Sequence, residues 1–453
     1  MAHMITASEQ RAHDGRTIVV GLGRTGLSCA KYLKARGVAF AVTDSRKKPP
    51  EMPALGELAP EAEVRVGGFD ESLLDDATQV IASPGVSLRE PFLVHAALRG
   101  VPIVGDIELF ARESRAPVAA VTGTNGKSTV TTLVARMAER AGRKVLAGGN
   151  LGWPALDLLE EPIPDLYVLE LSSFQLETTQ SLRTAAASVL NVTPDHMDRY
   201  STLHEYAHAK ARIFARTGTA IVNLDDPLVR VMPLASQRVL GFSLLDDPGA
   251  DYRAVTVNGD TVLMRRDERI VAMSELRIAG LHNAANALAA LAMGEALRLP
   301  LAACVSALRD FPGLPHRSQW VADVRGIRFI DDSKGTNVGA TLAAVAGTPG
   351  TLVLVAGGQG KGQDFTPLAK AFEGKVRHAV LLGQDARLVA EALTGVCTTQ
   401  FAIDMPDAVA RAARAALPGE TVLLSPACAS LDMFRDYAHR GDVFAAAVRG
   451  LPQ

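Results

Sequence analysis

The sequence lacks the features of a membrane-bound, secreted or nucleic-acid-binding protein. No apolar run approaches the roughly 20 residues needed to span a bilayer, which predicts no membrane insertion. The four cysteines lie far apart and form no CxxC pair, a pattern typical of a reducing compartment. The net charge of −2 gives no electrostatic case for a nucleic-acid partner or an anionic membrane.

The first residues also lack the apolar segment of a secretory signal peptide. We therefore expect a cytoplasmic protein, with Met4 as its native start. At 453 residues the chain is too long for one hydrophobic core, and its length predicts about three domains. A composition of 48% hydrophobic and 21% charged residues is ordinary for a soluble α/β protein.

What the chain does contain is a nucleotide-binding pattern in residues 118–137, VAAVTGTNGKSTVTTLVARM. A short β-branched run is followed by a glycine loop and then by apolar residues at helical spacing. Such a loop presents backbone N–H groups and the positive end of a helix dipole to one point. Lys127 adds a charge for the β- and γ-phosphates, and Ser128 or Thr129 can offer a hydroxyl to Mg²⁺.

This loop departs from the pattern GxxxxGK followed by Ser or Thr, because Val121 stands where the first glycine should be. The alternative is a Gly/Ser-rich turn in an ordinary βα unit. The order of strand, loop, lysine, hydroxyl and helix favours nucleotide binding.

Residues 17–44 form a second glycine-punctuated βαβ unit, with GLGRTG at positions 21–26 and Asp44 at the end of the second strand. Taken alone, this fingerprint indicates an NAD-dependent dehydrogenase. In this fingerprint the helix N-terminus binds a diphosphate and the carboxylate accepts a hydrogen bond from a hydroxyl. Any nucleotide diphosphate carries both groups, including a UDP-sugar.

Carboxylate and imidazole groups follow two apolar strands of the middle region. Glu170 lies near the end of an apolar strand at 167–171, where a carboxylate needs a partner or a metal. A strand-end glutamate that reaches solvent is the alternative. Asp195 and His196 follow a predicted strand at 187–192, and strand ends of parallel sheets face the ligand crevice.

The helix over residues 203–214 carries two patterns. HEYAH at 204–208 matches the zinc-protease pattern HExxH, but no third ligand follows at a recognisable spacing, so we reject a metalloprotease. Lys210 lies in a stripe of apolar residues at three- and four-residue spacing. A lysine pointed inward must find a partner, lose its proton or be chemically modified; a snorkelling lysine is the alternative.

The last third of the chain repeats the alternation of strands and helices. A linker-like segment, FPGLP at 311–315, precedes it, and strands at 326–330, 351–355 and 421–424 each run into a loop of glycine or small polar residues. The whole pattern predicts an α/β protein of three domains. These are a Rossmann-like N-terminal domain at 1–105, a central P-loop-type ATPase domain with a mostly parallel sheet at 106–313, and a Rossmann-like C-terminal domain at 314–453.

Six segments in this order resemble the Mur ligases over essentially the whole chain: TGTNGKST at 122–129, ELSSFQLE at 170–177, NVTPDHMD at 191–198, HNAAN at 282–286, His316 with Arg317, and DSKGTN at 332–337. ELSSFQLE and LSPACASLD at 424–432 are most similar to the members that add glutamate to UDP-N-acetylmuramoyl-L-alanine. The TGTNGK form of the loop is shared by this family, which accounts for Val121.

The resemblance implies ATP-dependent amide bond formation in peptidoglycan precursor synthesis. ATP would activate the L-alanyl carboxylate as an acyl phosphate, and the amine of D-glutamate would attack it through a tetrahedral intermediate. Two Mg²⁺ ions and a monomeric enzyme are expected. The sequence does not distinguish D- from L-glutamate by itself.

The residues that the resemblance assigns fall into five sets. The catalytic set is Lys127, Glu170, His196 and Lys210. The ATP set is Gly123, Thr124, Asn125, Gly126, Lys127, Ser128, Thr129, Asn286, Arg317 and Asp332. The UDP-substrate set is Arg24, Thr25, Asp44, Ser45, Arg46, Ser83, Gly85, Asn150 and His196. The glutamate set is Lys334, Thr336, Lys361, Ser430, Leu431 and Tyr437. The metal set is Ser128, Thr129, Glu170, His196 and a carbamylated Lys210.

Three rival interpretations stay open at this point. GLGRTG with Asp44 suits an NAD-dependent oxidoreductase but leaves the phosphate loop and Lys210 unexplained. A different ATP-dependent ligase, such as the meso-diaminopimelate-adding Mur enzyme or folylpolyglutamate synthase, is the second. A non-catalytic, nucleotide-gated binding protein is the third.

Overall fold

The structure is a computed structural model that describes residues 15–452. The expected start at Met4 and the first 14 residues of the predicted N-terminal domain lie outside the described residues. Three sheets follow one another along the chain, each covered by helices.

The first sheet has five parallel strands in the order β3-β2-β1-β4-β5. The strands are β1 (Arg16–Val20), β2 (Phe40–Asp44), β3 (Glu63–Val66), β4 (Ala77–Ala82) and β5 (Ile103–Val104). The helices are α1 (Arg24–Ala35), α2 (Met52–Leu58), α3 (Pro91–Leu98) and α4 (Asp106–Glu113), with a 3-10 turn at Glu71–Leu74. The strand order reverses beside β1, so the carboxyl end of β1 opens onto a crevice.

The second sheet has nine strands in the order β14-β13-β12-β11-β10-β9-β6-β8-β7. The strands are β6 (Val118–Thr122), β7 (Val145–Gly149), β8 (Leu166–Glu170), β9 (Thr184–Val189), β10 (Thr217–Asn223), β11 (Arg238–Ser243), β12 (Tyr252–Val257), β13 (Asp260–Arg265) and β14 (Glu268–Ala272). Strands β6 to β12 pair in parallel, whereas β12, β13 and β14 form an antiparallel meander at the edge.

The helices of this middle region pack on both faces of the sheet. They are α5 (Lys127–Arg140), α6 (Ser173–Glu177), α7 (Leu203–Ala211), α8 (Leu281–Ala296) and α9 (Leu301–Asp310), with 3-10 turns at Ala155–Glu160, Arg212–Phe214 and Met273–Glu275. The alanine-rich helix α8 approaches the sheet closely because its small side chains take little room, and it joins α5 and α9 in one core.

The third sheet has six strands in the order β15-β16-β20-β17-β18-β19, and only β15 is antiparallel to its neighbour. The strands are β15 (Gln319–Val324), β16 (Ile327–Asp331), β17 (Leu352–Ala356), β18 (Val376–Leu381), β19 (Thr398–Phe401) and β20 (Thr421–Leu424). The helices are α10 (Val338–Gly347), α11 (Pro367–Phe372), α12 (Ala386–Ala392), α13 (Met405–Ala415) and α14 (Tyr437–Arg449).

The predicted fold class, an α/β chain with three mostly parallel sheets, is confirmed. One predicted strand was misplaced: β9 ends at Val189, not at residue 192. The apolar pattern continues through Leu190 and Val192, but the N–H of Val192 donates to the Asp226 carboxylate at 2.7 Å instead of extending a ladder. Among residues 15–452 no helix is both long enough and apolar enough to cross a bilayer.

Candidate active site

The phosphate loop leaves β6 at Thr122 and enters α5 at Lys127. Gly126 caps α5 in the left-handed region at φ 85°, without a side-chain cap, so the first N–H groups of the helix keep no partner from a capping side chain. A Cβ at this position would lie 2.3 Å from Asn286 Oδ1. Both the backbone angle and the neighbour therefore require glycine here.

Two lysines meet at one carbonyl of this loop. Lys127 Nζ donates to the carbonyls of Gly123 at 2.9 Å and Thr124 at 2.8 Å, and Lys210 Nζ donates to Gly123 at 2.9 Å. Lys210 is only 1% exposed, as its place in the apolar stripe predicted. Burial, and then the charge of Lys127, lowers the pKa of Lys210 well below its ordinary value.

Glu170 ends β8, and its residue pairs with Val121 of β6 in the sheet. Its carboxylate is 3% exposed; Oε1 accepts from Asn150 Nδ2 at 2.6 Å, and Oε2 has no hydrogen-bond partner among the described residues. A buried carboxylate oxygen without a donor is costly unless a cation satisfies it. The alternative of a solvent-reaching glutamate is therefore wrong.

Asp195 and His196 lie in the segment that follows β9. The Asp195 carboxylate accepts from Asn337 Nδ2 at 3.1 Å and is paired with Lys361. Burial acts to raise the pKa of Asp195, but the charge of Lys361 and the hydrogen bonds from Lys361 and Asn337 outweigh it and lower that pKa. Burial lowers the pKa of His196 to about 4, so this imidazole is neutral at neutral pH and can act as a metal ligand.

A cavity of about 280 Å³ lies between the phosphate loop, the start of α8 and the third sheet. Of the predicted ATP set, it is lined by Asn125, Gly126, Thr129, Asn286, Arg317 and Asp332. Arg317 Nη2 also donates to Ser128 Oγ at 2.8 Å, across 189 residues of sequence. Burial raises the pKa of Asp332 to about 7.

A second cleft, of about 620 Å³, opens at the carboxyl edge of the first sheet. It is lined by eight members of the predicted UDP-substrate set: Arg24, Thr25, Asp44, Ser45, Arg46, Ser83, Gly85 and Asn150. The Asp44 carboxylate accepts from Leu22 N at 2.6 Å and from Arg46. His196, the ninth member, is not among the residues that line this cleft.

The predicted glutamate set is only partly gathered. Lys334 Nζ lies 3.7 Å from the ring centre of Tyr437 and also lines the 280 Å³ cavity, and Lys361 reaches Asp195. Thr336 donates its N–H to the Lys334 carbonyl at 2.8 Å. Ser430 is buried and Leu431 is 68% exposed, and neither lines the two cavities described above.

Two asparagines that the sequence predictions did not single out hold the phosphate loop. Asn191 accepts from the N–H groups of Thr124 through its carbonyl and of Asn125 through Oδ1, at 2.9 and 2.8 Å. Asn337 exchanges amide hydrogen bonds with Asn125 at 3.1 and 3.2 Å. Both follow strands on the crevice side, which was the available signal, but their partners lie far away in sequence.

The rejected zinc-protease pattern has no metal geometry. His204 and His208 are exposed on α7, and the Glu205 carboxylate is held by Ser201 N at 2.9 Å and Arg89 at 2.6 Å. Across residues 15–452 no three His, Cys, Asp or Glu side chains form a group that could hold a metal. Any metal at the phosphate loop would therefore need hydroxyl, phosphate or modified-lysine ligands in addition to Glu170 and His196.

The chain matches three family profiles: "Mur ligase MurD-like, N-terminal domain" over residues 15–105, "Mur ligase middle domain" over 121–294 and "Mur ligase, glutamate ligase domain" over 316–428. It is 53% identical to the UDP-N-acetylmuramoylalanine--D-glutamate ligase of Nitrosococcus oceani, covering 96% of each chain. It is 49% identical to the ligase of the same name from Pseudomonas aeruginosa, covering 97% of this chain and 99% of the other.

Solved structures show the same fold at lower identity. MurC of Thermotoga maritima, a UDP-N-acetylmuramate-alanine ligase, has a TM-score of 0.61 at 19% identity, over 96% of this chain and 99% of that one. MurF of Acinetobacter baumannii has a TM-score of 0.62 at 18% identity, over 98% and 93%. The family resemblance read from the motifs is confirmed, and the chain belongs to the Mur ligase family.

Proposed function

We propose that this chain is an ATP-dependent ligase that joins D-glutamate to UDP-N-acetylmuramoyl-L-alanine in peptidoglycan precursor synthesis. The names of its relatives at about half identity support this reaction. The single observation that carries it is the hydrogen bond from Asn150 to Glu170. Asn150 lines the 620 Å³ cleft, and Glu170 lies beside the phosphate loop. A ligand in the cleft and a nucleotide on the phosphate loop would therefore come into contact at these two residues. The oxidoreductase interpretation provides no use for this meeting point.

In this proposal the 620 Å³ cleft holds the UDP-substrate, with its diphosphate at the N-terminus of α1 and a hydroxyl on Asp44. Gly26 fits such a cleft, since a Cβ there would lie 2.0 Å from the Gly21 carbonyl and would separate helix from strand. The 280 Å³ cavity holds ATP, with Asn286, Arg317 and Asp332 around the nucleoside and the loop at 123–129 around its phosphates.

We propose that two Mg²⁺ ions bind beside the phosphate loop. The unpartnered Oε2 of Glu170 with Ser128 or Thr129 would hold one, and His196 with Lys210 the second. Lys210 suits carbamylation because burial favours its neutral amine, which adds to CO₂ to give a carbamate and a proton. When bound, Mg²⁺ neutralises phosphate charge where two anions must approach.

The chemistry proceeds in two steps. The L-alanyl carboxylate attacks the γ-phosphorus of ATP, forming an acyl phosphate and ADP, while Lys127 neutralises the moving charge. The amine of D-glutamate then attacks the acyl carbon, and phosphate leaves from the tetrahedral intermediate. Lys127 has this reach because its amine already lies over the loop carbonyls rather than in an ion pair.

The glutamate site would be formed by Lys334, Thr336, Lys361, Ser430, Leu431 and Tyr437. Lys334 lines the 280 Å³ cavity, and burial lowers its pKa to about 7, so a substrate carboxylate would favour its charged form. Lys361 is paired with Asp195 and would supply the second positive charge. We further propose a cytoplasmic monomer with domains at 1–105, 106–313 and 314–453. Family membership supports this division, since the three profiles fall in the same three parts of the chain.

The test is phosphate release with ATP, Mg²⁺ and UDP-N-acetylmuramoyl-L-alanine against a panel of D- and L-amino acids, with the amide product identified by mass spectrometry. We expect release with D-glutamate and little with L-glutamate or meso-diaminopimelate. Equal release with and without the amino acid, or NADH formation instead, would refute the proposal.

A further inference from the structure

Arg199 occupies a junction that the proposed chemistry does not use. It lies three residues after His196, in a turn where its N–H donates to the His196 carbonyl at 2.9 Å. Its side chain is only 13% exposed, which is unusual for an arginine. A guanidinium buried to this degree requires partners, and this one has three, which lie on two different segments.

The first partner belongs to the first sheet region. Arg199 Nη1 donates to the Pro84 carbonyl at 2.9 Å, in the loop after β4 that lines the 620 Å³ cleft. The neighbouring Ser83 donates from Oγ to the Gly21 carbonyl at 2.8 Å, and so connects this loop to the glycine loop of the same cleft. Arg199, a residue of the middle region, therefore forms a hydrogen bond with the loop that lines the proposed UDP-substrate site.

The second and third partners belong to α6. Arg199 Nη2 donates to Glu177 Oε2 at 2.9 Å, and the guanidinium carbon lies 4.1 Å from the ring centre of Phe174. The Phe174 ring in turn meets the His196 imidazole edge-on, with centroids 4.8 Å apart. One side chain thus joins the cleft wall, α6 and His196 through short contacts.

A second arginine also spans these two regions, but it is mostly in water. Arg89 pairs with Glu205, and the two side chains are 63% and 41% exposed. Solvent-exposed pairs hold geometry weakly, whereas charge-assisted hydrogen bonds of a buried guanidinium hold it well. Of these two arginines, Arg199 therefore makes the stronger connection between the first and the middle region.

We infer that Arg199 is a positioning residue that sets the distance between the cleft wall at Pro84 and His196, and so places the substrate carboxylate against the γ-phosphate. This inference rests on the proposed function of the two sites. If the contacts of Arg199 are lost, the UDP-substrate binds less tightly. Its acyl phosphate is then poorly oriented for attack by the amine of glutamate, and water hydrolyses it instead. The ATP cavity has no contact with Arg199 and is not affected.

The test compares Arg199→Ala and Arg199→Lys with Arg212→Ala. Arg212 is the matched control, since it is also partly buried and binds two backbone carbonyls beside α6, those of Leu176 and Thr179, at 2.7 and 2.8 Å. It makes no contact with the Pro84 loop among the hydrogen bonds of residues 15–452. KM for both substrates, kcat, the ratio of phosphate released to amide formed, and Tm are measured for each variant.

We expect Arg199→Ala to raise the KM for UDP-N-acetylmuramoyl-L-alanine by about tenfold or more and to raise the phosphate-to-amide ratio, with the KM for ATP changed by less than about twofold. Arg199→Lys should show the same pattern more weakly, because the lysine amine can still donate to one of the two acceptors. This variant tests the inference if Arg199→Ala does not fold. Arg212→Ala should lower Tm and leave both KM values and the ratio unchanged.

The inference is wrong if the Arg199 variants only lose Tm, as the control does, or raise both KM values equally. Calorimetry of UDP-N-acetylmuramoyl-L-alanine binding separates its failure from that of the proposed function. A wild type that binds this ligand but forms no amide refutes the function, whereas a wild type that forms amide with Arg199 variants of normal affinity and ratio refutes the inference alone.

Discussion

Asp332, a buried side chain that lines the 280 Å³ cavity, makes the stability of the protein depend on pH. Its carboxylate accepts from Ser425 Oγ at 2.8 Å and Ser318 N at 3.0 Å, yet burial raises its pKa from 3.8 to about 7. Between these two values the folded protein holds a proton that the unfolded chain has released. Stability therefore falls as pH rises from about 4 to 7, and the full cost is present above pH 7.

Asp332→Asn should remove this cost. Asn keeps the acceptor for Ser318 N and can donate to Ser425 Oγ, so we expect the ligand-free variant to exceed the wild type in stability by roughly 4 kcal/mol at pH 8 and by only about 1 kcal/mol at pH 4.5. Thermal unfolding at both pH values measures this. A stability difference that does not change between the two would contradict the stated pKa.

Asp44 tests the division of the two nucleotides between two loops. Asp44→Ala removes the acceptor of Leu22 N and the partner of Arg46, both at the 620 Å³ cleft. We expect the KM for UDP-N-acetylmuramoyl-L-alanine to rise roughly tenfold, since a charge-assisted hydrogen bond is lost.

The KM for ATP should stay within about twofold in the same variant. Asp70→Ala is the control, because Asp70 is an N-terminal cap in the same sheet region and lies outside the cleft lining. A raised KM for ATP with an unaffected UDP-substrate would mean that the two loops were assigned in reverse.

At the residue level, spacing alone predicted that Lys210 is buried, because five apolar residues share its helix face: Leu203, Tyr206, Ala207, Ile213 and Phe214. Asn191 and Asn337 were not predicted as loop supports. Their function depends on partners 66 and 212 residues away, and a lone asparagine carries no signal for such a contact.

The phosphate loop and α5 form the element on which the site depends. Gly126 and Gly142 stand before and after this helix with nearly equal positive φ, 85° and 82°. A Cβ at Gly126 would lie 2.3 Å from Asn286 Oδ1, whereas nothing lies within 4 Å of one at Gly142. The two positions separate backbone strain from the effect of a displaced neighbour.

Gly142→Ala should cost about 1 kcal/mol from the left-handed backbone and leave activity unchanged. Gly126→Ala carries the same strain and must also push Asn286 away, so we expect greater destabilisation and a raised KM for ATP. Denaturant unfolding and steady-state kinetics of both variants provide the comparison. Equal kinetics in the two would show that contact with Asn286 does not matter for ATP.

Helices and strands whose apolar residues recur at one clear spacing were predicted well, whereas those that depend on contacts distant in sequence were not. β6 and α5 follow directly from a β-branched run and helical spacing. β9 was predicted three residues too far along the chain, because Leu190 and Val192 continue its apolar pattern, although the Asp226 carboxylate accepts the N–H of Val192. The antiparallel edge β12 to β14 was not described from the sequence at all.

At the scale of the whole molecule, the third sheet region contacts the phosphate loop and the segment after β9 through polar side chains. Arg317 reaches Ser128, Asn337 reaches Asn125, and Lys361 reaches Asp195. Water can replace each of these, so the contacts suit a reversible closure. Phe311 is 0% exposed in the middle core, which leaves residues 312–315 as the segment that can bend.

We expect the radius of gyration from small-angle scattering to decrease when nucleotide and UDP-N-acetylmuramoyl-L-alanine are both bound, as the third region closes over the acyl phosphate and excludes water. Binding of both ligands is verified in the same samples. An unchanged radius would contradict a large closure and indicate a preassembled site. The sequence predicted a linker at 311–315, and bending there stays a prediction. It did not predict the polar contacts, because their partners are far apart in sequence.

The central claim is that the chain activates the L-alanyl carboxylate with ATP and passes it to D-glutamate. The most direct measurement uses UDP-N-acetylmuramoyl-L-alanine labelled with ¹⁸O in that carboxylate, with ATP, Mg²⁺ and either D- or L-glutamate, and mass analysis of the phosphate. An acyl phosphate predicts one ¹⁸O in each phosphate released, together with one amide formed, and predicts this with D-glutamate. Unlabelled phosphate, or label found in AMP, would contradict the account.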